Sequence, residues 1–168
     1  MFHRAEDHAF TRILEAHVDQ IRLEALAVRE RMVDWQESHL HDRCWQVYGL
    51  FGFPEGQLLA DQAQCCPLTT LLVADHVPSH GAAGFSLLKP RSRIEPHEGY
   101  AGRFLRCHLP LVVPHGDCGL RVGGQTRAWE EGRCMVFDDR VMHEAWNDTD
   151  QMRLVLLVDF VPGGTSIA

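Results

Sequence analysis

His97, Arg106, His108, Arg121, His143 and Arg153 all fall between Pro96 and Asp159 of a 168-residue chain, within a strand-rich pattern. Imidazoles can hold a divalent metal, and guanidiniums can fork onto a carboxylate. Converging inside a small barrel, such groups could bind a metal beside an anionic small molecule. The densest runs are Pro96-His97-Glu98-Gly99 and Arg106-Cys107-His108-Leu109-Pro110. His143 follows an Asp138-Asp139 turn and enters a strand, which suits a metal ligand at a barrel mouth. His17, His39, His41 and His115 stand alone on helix or loop segments and read as structural or exposed.

Period-two geometry sorts the strand faces, because successive residues point to opposite sides. From Phe104 to Pro114, Arg106 and His108 share one face, while Leu105, Cys107, Leu109 and Leu111 share the other. The apolar set must pack against a second layer. Arg106 and His108 then look into a space that is polar or holds a ligand, since an unpaired guanidinium in a dry core is very costly. From Arg153 to Phe160, Arg153, Val155, Leu157 and Asp159 share one face and Leu154, Leu156, Val158 and Phe160 the other. Arg153 opens an otherwise apolar strand and asks for an anionic partner. That partner is a bound carboxylate or, as for most strand arginines, a neighbouring acid such as Asp159 or Asp138.

The elements that must position these groups follow from periodicity. Phe10, Leu14, Val18, Ile21, Ala25, Val28 and Met32 recur at helical spacing, predicting one amphipathic helix over about 9–32 laid on the outside of a sheet. Cys44 to Phe53 reads as a strand closed by a Pro54-Glu55-Gly56 turn, and 67–76 as a helix with Pro67 in its first turn and Pro78 after it. Beyond Gly84 the period becomes two. Phe85–Leu88, Phe104–Val113, Leu120–Val122, Thr126–Trp129, Arg133–Phe137, Glu144–Asn147 and Arg153–Phe160 read as short strands, with a hairpin at Gly123-Gly124. This spacing predicts an antiparallel barrel or jelly roll.

Length and composition fit one domain over 1–168, with a helical and strand scaffold over 1–80 and the barrel core over 81–162. No apolar run is long enough for a membrane span, and the N-terminus has no apolar leader, so a cytoplasmic protein is expected. The net charge of −7 and the lack of a Lys/Arg cluster exclude a nucleic-acid surface. The 6 Cys lack paired spacing and read as buried free thiols.

Pro96-His97-Glu98-Gly99, Arg106-Cys107-His108-Leu109, Trp129-Glu130-Glu131-Gly132, Phe137-Asp138-Asp139, His143-Glu144-Ala145-Trp146-Asn147 and Arg153 to Asp159 resemble the aspartyl/asparaginyl β-hydroxylase family of Fe(II)/2-oxoglutarate-dependent oxygenases, over about Trp45 to Asp159. The resemblance implies a mainly β fold, a cupin-like double-stranded β-helix (jelly roll) with N-terminal helices packed on one side. It implies that His97 and His143 are the iron ligands, with Gly99 where most such oxygenases carry a third, carboxylate ligand. It assigns Ser86 and Arg153 to the distal carboxylate of 2-oxoglutarate, Arg106 and His108 to the facing strand, and Trp45 to the pocket wall. The implied activity is hydroxylation of an unactivated carbon by O2, with release of succinate and CO2. The substrate is then an amino acid, at its β-carbon, free, carrier-bound or in a peptide. Phe104 stands where the family has an Arg, which weakens the expectation of an aspartyl substrate. The alternatives are the same chemistry on an acyl chain, or a non-catalytic cupin-like binding module.

Overall fold

The computed structural model describes residues 1–53, 55–100 and 102–163, so Pro54 of the expected turn and the end of the chain lie outside the described residues. The strands are β1 (Phe2–His3), β2 (Val33–Asp34), β3 (Trp45–Phe51), β4 (His80–Leu88), β5 (Ser92–His97), β6 (Leu105–Val112), β7 (Cys118–Val122), β8 (Gln125–Ala128), β9 (Met135–Phe137), β10 (His143–Asn147) and β11 (Arg153–Phe160). They form a seven-stranded sheet ordered β1-β9-β6-β11-β4-β3-β2 and a four-stranded sheet ordered β5-β10-β7-β8. All pairings are antiparallel. This is the mainly β, jelly-roll architecture that the strand spacing predicts.

The large sheet carries a different apolar layer on each face, and this division creates the interior. Leu105, Cys107, Leu109, Leu111, Leu154, Leu156, Val158 and Phe160 join Leu14 and Ile21 in a core beneath the helices. Each fully buried aliphatic side chain there contributes roughly 1.5–3 kcal/mol. On the opposite face Trp45, Leu88 and Val155 meet Ile94, Leu120, Val122 and Ala145 of the small sheet. The expected sorting of the β6 and β11 faces therefore holds.

The expected single helix is two, α1 (Ala9–Ala16) and α2 (Val18–Ala27), followed by a tight turn at Arg29–Arg31. His17 causes the break: its ring nitrogen Nδ1 bonds the Ile13 carbonyl at 2.8 Å, drawing the helix out of register. After the short α3 (Ala60–Ala63), α4 (Pro67–His76) begins at Pro67 as expected. Its cap comes from α2, because Glu24 accepts bonds from the Leu68 and Thr69 backbone N–H groups, both at 2.9 Å. Gly123 and Gly124 have φ of 54° and 85° and close the β7–β8 hairpin. All six cysteines are free, but Cys65 and Cys134 are only partly buried, contrary to the expectation. Among the described residues no helix is long and apolar enough to cross a membrane.

Candidate active site

β5, absent from the sequence reading, carries the first of the converging groups. It is an edge strand, which is where Pro96, lacking an N–H, can be accommodated. Ile94 faces the interior, so strict alternation would turn His97 outward. A bulge in the β5–β10 pairing, between the Ala145–Ile94 and His143–His97 pairs, inserts the extra residue that turns it back inward. His97 and His143 then sit directly opposite, with ring centroids 4.2 Å apart.

Both rings are oriented by backbone. His97 Nδ1 lies 2.7 Å from the Glu95 carbonyl and His143 Nδ1 lies 2.9 Å from the Val141 carbonyl. A carbonyl can only accept, so each Nδ1 carries the hydrogen and each Nε2 keeps a lone pair. That tautomer, fixed from behind, is the one a metal needs. Burial, and then the neighbouring His97, pushes His143 down to about 3, so its lone pair is free of protons at neutral pH. Among the described residues no cluster of three or more His, Cys, Asp or Glu could hold a metal, so the pair stands without a third protein ligand.

Behind the pair lies a narrow cavity of about 30 Å³, lined by Trp45, Ser86, Arg106, His108, Arg153 and their apolar neighbours. An occupant larger than a few water molecules enters it by displacing side chains. Arg153 is 1% exposed and reaches the Ser86 carbonyl through Nη1 at 3.0 Å. Trp45 Nε1 donates to Ser86 Oγ at 3.0 Å, and the guanidinium carbon lies 4.7 Å from the centre of the Trp129 ring. No carboxylate pairs with Arg153 among the described residues, and its Nε has no partner. Burial pushes its pKa down to about 10.

His108 is the second orphan. Trp129 Nε1 donates to His108 Nδ1 at 3.3 Å, which leaves the hydrogen on Nε2, and that atom is buried without a partner. Burial, with Arg153 and Arg106 adding to it, holds His108 well below its ordinary value. The cavity thus holds two desolvated donors that nothing among the described residues satisfies. Leaving such groups unmade costs about 1–3 kcal/mol each, and an anionic ligand would satisfy both.

Arg106 behaves differently. Its Nε and one Nη fork onto Asp159 at 2.8 and 3.0 Å, and it contacts Asp139 Oδ2 at 3.1 Å. Burial alone would lower Arg106, but Asp159 and Asp139 more than offset it and hold it above the ordinary guanidinium value. The neighbouring-acid alternative therefore describes Arg106, while Arg153 retains the need for a bound anion. Arg121 lies outside the cavity, on the outer face of β7, paired with Glu144 at 2.9 Å.

Asp139 is the residue that sequence reading missed. It is 5% exposed, and burial raises its pKa against the pull of Arg106. A Cβ added at Gly99 would lie 2.7 Å from Asp139 Cγ and 3.0 Å from its backbone oxygen, and still closer to Oδ2. The Asp139 carboxylate thus fills the space beside His97 that a side chain at position 99 would need. The Asp138-Asp139 run was visible in the sequence, but nothing there distinguished the Arg140-paired Asp138 from the inward Asp139.

The site's donors suit iron and a dicarboxylate: two tautomer-fixed imidazoles with no third protein ligand, then an unpaired guanidinium and an imidazole N–H deeper in. The chain resembles known proteins over most of its length. Residues 15–162 match a family model described as aspartyl/asparaginyl beta-hydroxylase. The chain is 38% identical over 122 residues to an ornithine lipid ester-linked acyl 2-hydroxylase of Rhizobium tropici, covering 71% of this chain and 42% of that protein. It is 30% identical over 154 residues to human aspartyl/asparaginyl beta-hydroxylase, covering 87% of this chain and 20% of that one. The chain therefore spans less than half the length of either relative. The crystal structure of a Pseudomonas putida prolyl-4-hydroxylase shares the fold, with a TM-score of 0.54, 20% identity and 88% of each chain covered. With the family match extending over β2 to β11 and both histidines inside it, the chain belongs to the aspartyl/asparaginyl β-hydroxylase family.

Proposed function

We propose that the protein is an Fe(II)/2-oxoglutarate-dependent oxygenase that hydroxylates an unactivated carbon. The observation that carries this reading is the pair of orphaned donors, Arg153 Nε and His108 Nε2, in a cavity that ends at two Nδ1-anchored imidazoles. His97 and His143 would hold the iron through Nε2. Arg153, steadied by Ser86 and walled by Trp45, would take the distal carboxylate, and His108 would donate to the same molecule. Iron bound there supplies the dioxygen chemistry: one oxygen atom enters the C–H bond and the other enters succinate as 2-oxoglutarate loses CO2. The chain's own contribution is to orient the cosubstrate, leave metal positions open and exclude water.

For the prime substrate, the β-carbon of an amino acid, free, carrier-bound or in a peptide, has a competitor in an acyl chain. The ion pairs favour the acyl reading. Among the described residues the guanidiniums lining the cavity are Arg106 and Arg153. Arg106 is committed to two carboxylates, and 2-oxoglutarate would take Arg153, so a substrate carboxylate finds no free cation there. The acyl 2-hydroxylase among the relatives points the same way.

The test is succinate release from 2-oxoglutarate under air, with acyl and aspartyl substrates compared. Iron-dependent release that disappears in His97→Ala and His143→Ala supports the reading. Equal release from those variants overturns it.

A further inference from the structure

The run Trp129-Glu130-Glu131-Gly132 is not among the residues that line the cavity, yet Trp129 touches both residues whose donors are left unsatisfied there. The run begins where β8 ends and carries the chain from the small sheet to β9 of the large one. β8 is exposed along its whole length, whereas Trp129 is 4% exposed and packs with residues of both sheets. The crossing is pinned to the end of β6. β9 pairs with β6 over Arg106, Cys107 and His108, and past His108 the backbone groups on that side of β6 need other partners. Gly132, with φ of 74°, donates its N–H to the Pro110 carbonyl at 2.9 Å. Glu131 accepts the Val113 N–H at 2.8 Å. These two bonds fix the crossing, and with it the place of Trp129.

Trp129 meets His108 with its polar edge and Arg153 with its ring face. Its Nε1 can only donate, so the His108 Nδ1 that receives it at 3.3 Å must hold a lone pair. A neutral imidazole carries one ring hydrogen, which is thereby confined to Nε2. With the hydrogen on Nδ1 instead, Nε2 would offer a carboxylate a lone pair and repel it. The Arg153 guanidinium carbon lies 4.7 Å from the centre of the Trp129 ring. A ring face steadies a guanidinium by about 0.5–2 kcal/mol without neutralising it. Asp159, by contrast, neutralises Arg106 through a fork. Arg153 is therefore held in place and remains a full cation for a ligand.

We propose that Trp129 is a positioning residue for the anion site: its N–H presets His108 as a donor through Nε2, and its ring holds the Arg153 guanidinium where a carboxylate would cancel it. That the anion is 2-oxoglutarate rests on the function proposed above. The preset tautomer does not, since it follows from the Trp129–His108 bond in the empty protein.

The experiment follows the histidine ring nitrogens of the isotope-labelled, metal-free protein by NMR, beside calorimetric titration of 2-oxoglutarate into the iron(II)-loaded protein without oxygen. The parent should show His108 as one tautomer with its hydrogen on Nε2. Trp129→Phe keeps an aromatic face and removes the donor. It should show a mixture of His108 tautomers and bind 2-oxoglutarate about tenfold more weakly, the loss of a hydrogen bond to a charged group. In a His108→Gln background the same change should cost much less, because an amide donor has no tautomer to set. Three results overturn the proposal: a parent His108 with its hydrogen on Nδ1, a folded Trp129→Phe whose His108 stays wholly in the Nε2–H form, or an equal loss of binding from Trp129→Phe in both backgrounds. The first of these needs no substitution at all. Absence of 2-oxoglutarate binding in the parent overturns the cosubstrate instead, and the tautomer alone then decides the role of Trp129.

Discussion

Replacing Gly99 tests why this site has no third protein ligand. Gly99 is absent from the positive-φ positions, so its backbone tolerates a side chain and the backbone contribution of Ala would be neutral or slightly stabilising. The obstacle is Asp139. A Cβ at position 99 would lie 2.7 Å from Asp139 Cγ, and the carboxylate cannot simply retreat. Arg106 holds it at 3.1 Å, and the Asp139 carbonyl accepts the Gly99 N–H at 2.7 Å. Relief requires breaking the Asp139–Arg106 contact inside a buried network. Arg106 keeps its fork on Asp159, but the buried Asp139 carboxylate loses its ion-pair partner, so the loss is at least that of a charge-assisted hydrogen bond, about 2 kcal/mol or more. For a chain of this length that is a fall in Tm of about 4–8 °C in Gly99→Ala. Gly99→Asp adds a third carboxylate beside Asp139 and Asp159, and should cost about 3 kcal/mol or more. The assay is thermal unfolding of the metal-free variants with a parallel iron(II) titration. Two results would refute the reasoning: an unchanged Tm in Gly99→Ala, or markedly tighter iron binding in Gly99→Asp.

Arg153→Met should separate function from stability. Removing an isolated buried guanidinium leaves unfolding free energy unchanged or raised by about 1 kcal/mol, whereas 2-oxoglutarate affinity falls about a hundredfold; calorimetric titration beside urea unfolding reads both. Acid should destabilise the metal-free protein. Burial holds His143 down to about 3 and His108 well below its ordinary value, so the folded state stays unprotonated where the unfolded imidazoles, near 6.5, take up protons. Stability from these groups is complete above about pH 7 and declines as pH falls below the unfolded value, by about 2 kcal/mol between pH 7 and 5.5. Urea unfolding at the two pH values, repeated in His108→Gln, should show the drop shrink by about half.

The sequence made some of this legible, and the physics explains which parts. Strict alternation along β6 and β11 put Arg106, His108 and Arg153 on inward faces, because each strand is buried on both sides and the irregularity in their pairing, where Val155 meets Pro110, falls after Arg106 and His108 and leaves the alternation of β11 itself intact. β5 failed the same test, since Pro96 weakens a strand pattern and the bulge breaks the period of two at the residue that matters, His97. The partners of the two guanidiniums were equally hidden. Asp159 stands opposite Arg106 in the β6–β11 register, a pairing of residues 53 apart in the chain that periodicity cannot supply. The break at His17 turns on one side-chain bond to the Ile13 carbonyl, invisible in a pattern that is helical on both sides of it.

The proposed iron and cosubstrate site is tested most directly by an anaerobic titration of the metal-free protein with iron(II) and then 2-oxoglutarate, watching for the weak visible charge-transfer band of the iron–2-oxoglutarate chelate. The expected result is a band that saturates with the cosubstrate and is lost in both His143→Ala and Arg153→Met, the first for want of iron and the second for want of the cosubstrate. A band of equal strength in both variants, or iron bound with no band at any 2-oxoglutarate concentration, would contradict it.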